Sequence, residues 1–433
     1  MLGYFARYRT LSPLVQHVLS GAFWSVIGSV TARILALASS LILARILGKS
    51  GFGEFGIIQN TIGLFAILAG MGLGTTATKY IAEYRGTNPE KVLGIIKLSS
   101  QLSWGTGLIM AAALVISAKP LAIHTLLAPH LGSTLRLSAL LVVFGGVAGA
   151  QSGVLAGFQS FKEISSITLY TALVSFAATV LAASIYGLEG AVAGLIIGSA
   201  FNVFINKKAV KRHCIKQSKI TQLKDVVKDM SVLWKFSLPV TMVSLLIIPA
   251  NWACNAMLAR SASGYAAVGD YAVATQWRNI VVFVPAALVA VVISTLSGLI
   301  SAGEIDSYKK ILKLNLLITG IIAGCSAMAI IFLANVIART YGEDFVSTGP
   351  VISLMAISGF LIAMNSVVGN AITSLGRAWV GFVFCTITAC ILVFTAQFLI
   401  PIYGATGVAV ANVVAYLVHS LLQGLFLLKF MRQ

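Results

Sequence analysis

Acidic residues are scarce in this chain. Twelve Asp and Glu stand against 30 Lys and Arg in 433 residues, and charged residues of both signs make up 10% of the total, where a soluble domain carries about a quarter. That shortage excludes an ordinary solvated surface. It also excludes the obvious reading of the +18 net charge, because nucleic-acid recognition needs a soluble domain on which to build a basic face. The five cysteines (214, 254, 325, 385, 390) show no CxxC pairing, and all but Cys214 lie in apolar runs, so neither disulfides nor a thiolate metal site are expected. His17, His124, His130, His213 and His419 are scattered without ligand spacing, and no metal is expected from them either. Missing too are paired glycosidase carboxylates, GxSxG, a Walker loop and HExxH. No catalytic residue is assigned, and no ATP-driven step is expected.

What the chain has in excess is apolar sequence, 58% of its residues, with a mean hydropathy of +0.95. A spanning helix needs roughly 20 apolar residues. Runs of that kind at 21–47, 56–81, 95–118, 135–157, 164–186, 190–206, 235–260, 269–301, 311–335, 350–373, 379–400 and 405–428 predict an all-α, polytopic membrane protein of about twelve transmembrane helices. The first run is too long for a signal h-region and lacks a cleavage site, so it reads as a span. With the N-terminus inside, 22 of the 30 Lys and Arg fall on the cytoplasmic side and six opposite. That asymmetry places both termini in the cytoplasm.

The two halves repeat each other. Leu43-Ala44-Arg45 with Gly53-Glu54-Phe55 recurs as Leu258-Ala259-Arg260 with Gly269-Asp270-Tyr271, and Ile185-Tyr186-Gly187 with Gly190 recurs as Ile402-Tyr403-Gly404 with Gly407. Six spans per repeat is an even number, so both halves enter the membrane the same way, related by an axis along its normal. The expected organisation is a six-helix lobe over 1–206, a basic linker over 207–234 and a second six-helix lobe over 235–433, the pseudo-symmetric lobes enclosing a central cationic cavity. Within the linker, Ile220, Leu223, Val227, Met230 and Trp234 share one helical face, with Lys224, Asp225, Lys228 and Asp229 on the other. That pattern predicts an amphipathic helix lying on the membrane surface. A plain topology-setting loop is the alternative.

Two cations fall inside spans, Arg33 and Arg278. An Arg at the bilayer centre costs about 2.5–3.5 kcal/mol, so each must face a polar interior, as part of a wet cavity or of a buried ion pair. Few acids are available for such pairs. Glu54 and Asp270 occupy equivalent places in the two repeats, each nine or ten residues after Arg45 or Arg260. They read either as symmetric salt bridges to those arginines or, for Asp270 above all, as proton or cation coupling sites. Lys79 sits at the inner end of the second span, where it sets topology or meets an anionic ligand first. Gln59, Asn60, Asn251 and Gln276 are intramembrane amides, helix-packing groups or ligand contacts. Pro239, Pro249 and Pro285 should kink the seventh and eighth spans. Guanidinium and ammonium groups in a membrane cavity imply an anionic, phosphate-like cargo.

The run LARILGKSGFGEFGIIQNTIGLFAILAGMGLGTTATKYIAEYRG, the later GDYAVATQWRNIVVFVPAAL and the two six-span halves resemble the O-antigen and polysaccharide flippases of the multidrug/oligosaccharidyl-lipid/polysaccharide exporter superfamily. The resemblance implies a multi-pass protein of the bacterial inner membrane. It implies movement of an undecaprenyl-diphosphate-linked oligosaccharide, an O-antigen or similar repeat unit, from the cytoplasmic to the periplasmic leaflet by alternating access. Membrane lipid and the glycan polymerase machinery are the implied partners. No cofactor is implied beyond a coupling proton or sodium ion. Arg33, Lys79 and Arg278 match the family's placement of basic residues, and Gln59, Asn60 and Gln276 join them as candidate substrate contacts. Two alternatives stand beside this reading. One is a multidrug or cation antiporter of the same fold, which needs a carboxylate deep in a lobe. The other is a membrane glycan polymerase or ligase, which needs a catalytic outer loop.

Overall fold

The computed structural model describes residues 13–217, 230–301, 304–375 and 377–432. It is all-α: α1 (Pro13–Gly70), α2 (Leu73–Tyr84), α3 (Pro89–Pro120), α4 (Leu131–Gly157), α5 (Phe161–Gln217), α6 (Met230–Ala259), α7 (Gly264–Ser301), α8 (Ile305–Tyr341), α9 (Gly349–Ser374), α10 (Ala378–Tyr403) and α11 (Ala405–Arg432). A π-turn over Leu121–Thr125 extends α3, and a 3-10 turn over Glu343–Thr348 joins α8 to α9.

Among the described residues eight helices are long and apolar enough to cross a membrane, and Leu245–Ala259 is a shorter apolar helix. Large apolar side chains project outward, Phe332 at 88% exposure and Ile116 at 78%. In water that surface would aggregate, whereas in lipid it is the stable face. The chain is a polytopic membrane protein. Its helices do not match the expected spans one for one. α1 covers the first span and most of the second, broken at Gly48 (φ 67, ψ 176), and α5 covers the fifth and sixth, broken at Gly187. α6 and α7 run on as helices through Pro239, Pro249 and Pro285. The amphipathic stretch expected from Ile220 falls on 218–229, outside the described residues, and its last turn is the start of α6.

The sequence repeat is written into the backbone. Gly187 (φ 58, ψ −132) and Gly404 (φ 54, ψ −127) adopt the same left-handed conformation, which strains any L side chain. Three residues on, a Cβ at Gly190 would run into the carbonyl of Ala182, and one at Gly407 into that of Leu399. Each tight return thus uses a positive-φ glycine to reverse the chain and a second glycine to let the helices close. Gly187→Ala and Gly404→Ala should each cost about 1–3 kcal/mol, read as similar falls in melting temperature in detergent.

The described residues fall into two compact units, one within Met1–Ser39, Ile62–Lys119 and Ser133–Thr241, the other within Ser40–Thr61, Pro120–Gly132 and Met242–Gln433. In the first, the expected second span is interrupted. α1 ends at Gly70, Met71 and Gly72 take positive φ (38 and 67), and α2 restarts at Leu73. Irregular backbone in a membrane must find protein partners. Here the Thr106 hydroxyl donates to the Ala69 carbonyl at 2.7 Å. The Thr78 hydroxyl contacts the Gly74 carbonyl at 3.0 Å and that of Gly153 on α4 at 2.9 Å. In the second unit α9 is the central helix, packed against α7, α8 and α11. Gly359 lets α9 approach the backbone of α7 at Arg278.

Candidate functional site

The second unit contains a cavity of about 270 Å³. Three helices wall it, each with residues at helical spacing. Phe52, Phe55, Gly56, Gln59 and Asn60 come from α1, and Asn251 and Asn255 from α6. α7 supplies Tyr271, Ala272, Thr275, Gln276, Arg278 and Asn279. The lining holds two phenylalanines, one tyrosine, six side-chain amides and one cation, with no carboxylate.

Arg278 is half-buried and fixed from α11. Its Nη1 donates to Asn412 Oδ1 at 3.3 Å. Asn412 is fully buried and its Nδ2 donates to the Tyr271 hydroxyl at 3.2 Å and to the Val408 carbonyl at 3.0 Å. The chain Val408–Asn412–Tyr271 therefore holds an acceptor in place for the guanidinium, which keeps its other N–H donors for the cavity. On α1 and α6 the amides are tied to their own helices. Asn60 Nδ2 donates to the Gly56 carbonyl at 2.9 Å, Asn251 Nδ2 to Ile247 at 2.8 Å, and Asn255 Nδ2 to Asn251 at 2.9 Å. The Trp252 indole N–H donates to the buried Thr61 hydroxyl at 3.0 Å, joining α6 to α1.

At one end of the same unit lies a set of ion pairs whose partners differ from those expected. Asp270 pairs with Lys49 at 3.0 Å, not with Arg260, and accepts a hydrogen bond from the Thr348 hydroxyl. Lys49 also donates to the Asp344 carbonyl at 3.0 Å and the Ser347 hydroxyl at 3.2 Å. Glu54 pairs with His130 at 2.8 Å, not with Arg45. Arg45 instead donates to the Thr340 carbonyl at 2.7 and 3.0 Å, at the C-terminal end of α8, where the helix dipole favours a cation. The break at Gly48 separates Arg45 from Glu54, so nine residues of sequence are not two and a half turns of one helix. α1 and α7 meet beside these pairs. A Cβ at Gly53 would collide with the Tyr265 carbonyl, and one at Gly269 with the Lys49 carbonyl.

Of the residues named from sequence, Arg278, Gln276, Gln59 and Asn60 share the cavity. Asp270 and Glu54 belong to the ion-pair set just described. Arg33 and Lys79 lie in the first unit and do not line this cavity. Arg33 is half-buried on α1, and Lys79 is exposed on α2, with its ammonium 5.2 Å from the Tyr80 ring centroid. Sequence reasoning missed Asn255, Tyr271 and Asn412. A full count of amides within the apolar runs would have found the two asparagines, and the repeat, which pairs Tyr271 with Phe55, was the signal for the tyrosine.

An all-α chain of membrane-spanning helices, with a cavity lined by amides and one cation, is a multi-pass membrane protein. The family described as "Polysaccharide biosynthesis protein" matches residues 18–300, and the chain belongs to that family. It is 21% identical over 325 residues to the EPS I polysaccharide export inner membrane protein EpsE of Ralstonia nicotianae, covering 74% of this chain and 73% of that one. It is 23% identical over 176 residues to the lipid III flippase of Escherichia coli, covering 41% and 42%. In fold it resembles the lipid II flippase MurJ in its inward closed conformation, with a TM-score of 0.72 at 18% identity over 94% of this chain and 87% of that one. The family resemblance drawn from the sequence holds.

Proposed function

We propose that this protein flips a lipid-linked oligosaccharide, an O-antigen or similar repeat unit carried on undecaprenyl diphosphate, from the cytoplasmic to the periplasmic leaflet of the bacterial inner membrane. Transport proceeds by alternating access of two six-helix lobes, and both termini lie in the cytoplasm. The observation that carries this reading is the cavity, where one fixed guanidinium stands among amides with no carboxylate in the lining. A cation antiporter would need the opposite charge there. The family and the named export and flippase relatives support a glycan cargo over a drug. Arg278 meets the anionic diphosphate, and Gln59, Asn60 and Gln276 contact the head group. The glycan polymerase receives the product on the far side.

The reading is tested by reconstituting the full chain into liposomes with a diphosphate-linked sugar lipid in one leaflet and following its exposure to periodate in the other. Protein-dependent exposure is expected. No exposure above empty liposomes, or glycan lengthening by the purified protein, would overturn it.

Of the two acids named from sequence, Asp270 is the one we assign to coupling. It is largely buried, with 13% side-chain exposure, and lies on the helix that carries Arg278. A proton or sodium ion arriving there must compete with Lys49. Asp270→Asn should therefore make transport insensitive to collapse of the driving ion gradient. Unchanged sensitivity would leave the carboxylate as a structural partner of Lys49.

A further inference from the structure

Three of the cavity's four asparagines are oriented alike. A backbone carbonyl can only accept, so the side-chain atom turned to Gly56, Ile247 or Asn251 must in each case be the amide NH2. Asn60, Asn251 and Asn255 therefore each give one N–H to their own helix and keep a second N–H and a carbonyl oxygen. For Asn255 the consequence is sharpest. The residue is 2% exposed, it lines the cavity, and its Oδ1 has no hydrogen-bond partner among the described residues. A buried acceptor in that condition is destabilising until a donor reaches it.

Three neutral acceptors could hold a cation or a set of neutral donors. Arg278 lines the same cavity, no carboxylate does, and the net positive charge opposes a cation. Hydroxyl and amide N–H groups remain. At about 270 Å³ the cavity is at or below the small end of ligand sites, which run from about 300 to 1,000 Å³, so it admits one ring and not a chain.

We propose that Asn60, Asn251 and Asn255 form an acceptor subsite that binds the hydroxyl and N–H donors of the sugar next to the lipid diphosphate, while Arg278 faces the anion. This rests on the flippase reading and adds to it the group that reads the glycan. A sugar whose hydroxyls are blocked or absent at the contacted positions is discriminated against, because the asparagine carbonyls would be covered and left without partners.

The test measures affinity of the purified full-length protein in detergent for farnesyl diphosphate and for farnesyl diphosphate bearing glucose, galactose or N-acetylglucosamine. At least one sugar-bearing probe should bind about tenfold more tightly than the bare diphosphate. That advantage should vanish in Asn251→Leu and Asn255→Leu, with affinity for bare farnesyl diphosphate held within about twofold. A deoxyfluoro form of the preferred sugar, which keeps the ring's size and loses one donor, should lose the same advantage. If Asn255→Leu unfolds, the half-buried Asn251→Leu carries the comparison. The subsite is overturned if no sugar-bearing probe outdoes bare farnesyl diphosphate, or if the advantage survives in the leucine variants. Failure of the flippase reading looks different: farnesyl diphosphate would not bind, or would bind equally well to Arg278→Ala, and the subsite would fall with it.

Discussion

Lys49→Ala should destabilise the protein by about 3 kcal/mol, the loss that follows when one member of a largely buried ion pair is removed and the other is left behind. The pair is 3.0 Å apart, with side-chain exposures of 17% and 13%. The two single substitutions should not cost the same. Without Lys49, Asp270 keeps one side-chain donor, the Thr348 hydroxyl. Without Asp270, Lys49 keeps the Asp344 carbonyl and the Ser347 hydroxyl. Lys49→Ala should therefore lower the melting temperature in detergent more than Asp270→Ala does. The double change Lys49→Met with Asp270→Leu should recover most of the loss, since it leaves no uncompensated charge. Additive losses for Lys49→Ala, Asp270→Ala and the two combined would show that the pair contributes no coupling.

Arg278→Ala should abolish glycan export in a flippase-deficient strain while the protein still reaches the membrane in normal amount. If Arg278 holds the anion, removing its guanidinium costs about 2–5 kcal/mol, at least roughly thirtyfold in the rate it supports. Arg278→Lys keeps the charge and loses the planar fork, so it should restore part of the export. Asn412→Leu should fall between wild type and Arg278→Ala, because the guanidinium then keeps its charge but loses the acceptor that orients it. Surface glycan staining, with the protein quantified in the membrane fraction, measures all three. Normal display with Ala at position 278 would remove the cationic residue from the mechanism.

The fold was legible where it depends on composition and period. Long apolar runs can only be satisfied as helices in lipid, and the Ile-Tyr-Gly repeats marked two joints that share one backbone geometry. The interruption at Gly70–Gly72 was not legible, because a Gly-rich stretch in an apolar run also reads as close helix packing. It survives on partners such as Thr106, which sits 37 residues from the carbonyl it contacts. Ion partners were read wrongly for the same reason. Arg45 finds its acceptor 295 residues away, a distance at which spacing carries no information. Within the site, Arg278 was legible because a charge in a span is costly enough to demand an explanation. The orientations of Asn60, Asn251 and Asn255 were not, since spacing does not show which backbone carbonyl an amide N–H meets.

The glycine contact between α1 and α7 carries one more consequence. Gly53 meets the carbonyl of residue 265, and Gly269 meets the carbonyl of residue 49, so each glycine touches the position four residues before its counterpart. A contact in which i meets j and the equivalent of i meets the equivalent of j is isologous, the geometry of two identical molecules across a two-fold axis. Inside a single chain, the same reciprocity means that a substitution at either glycine is felt at both helices, so neither half can vary here independently of the other.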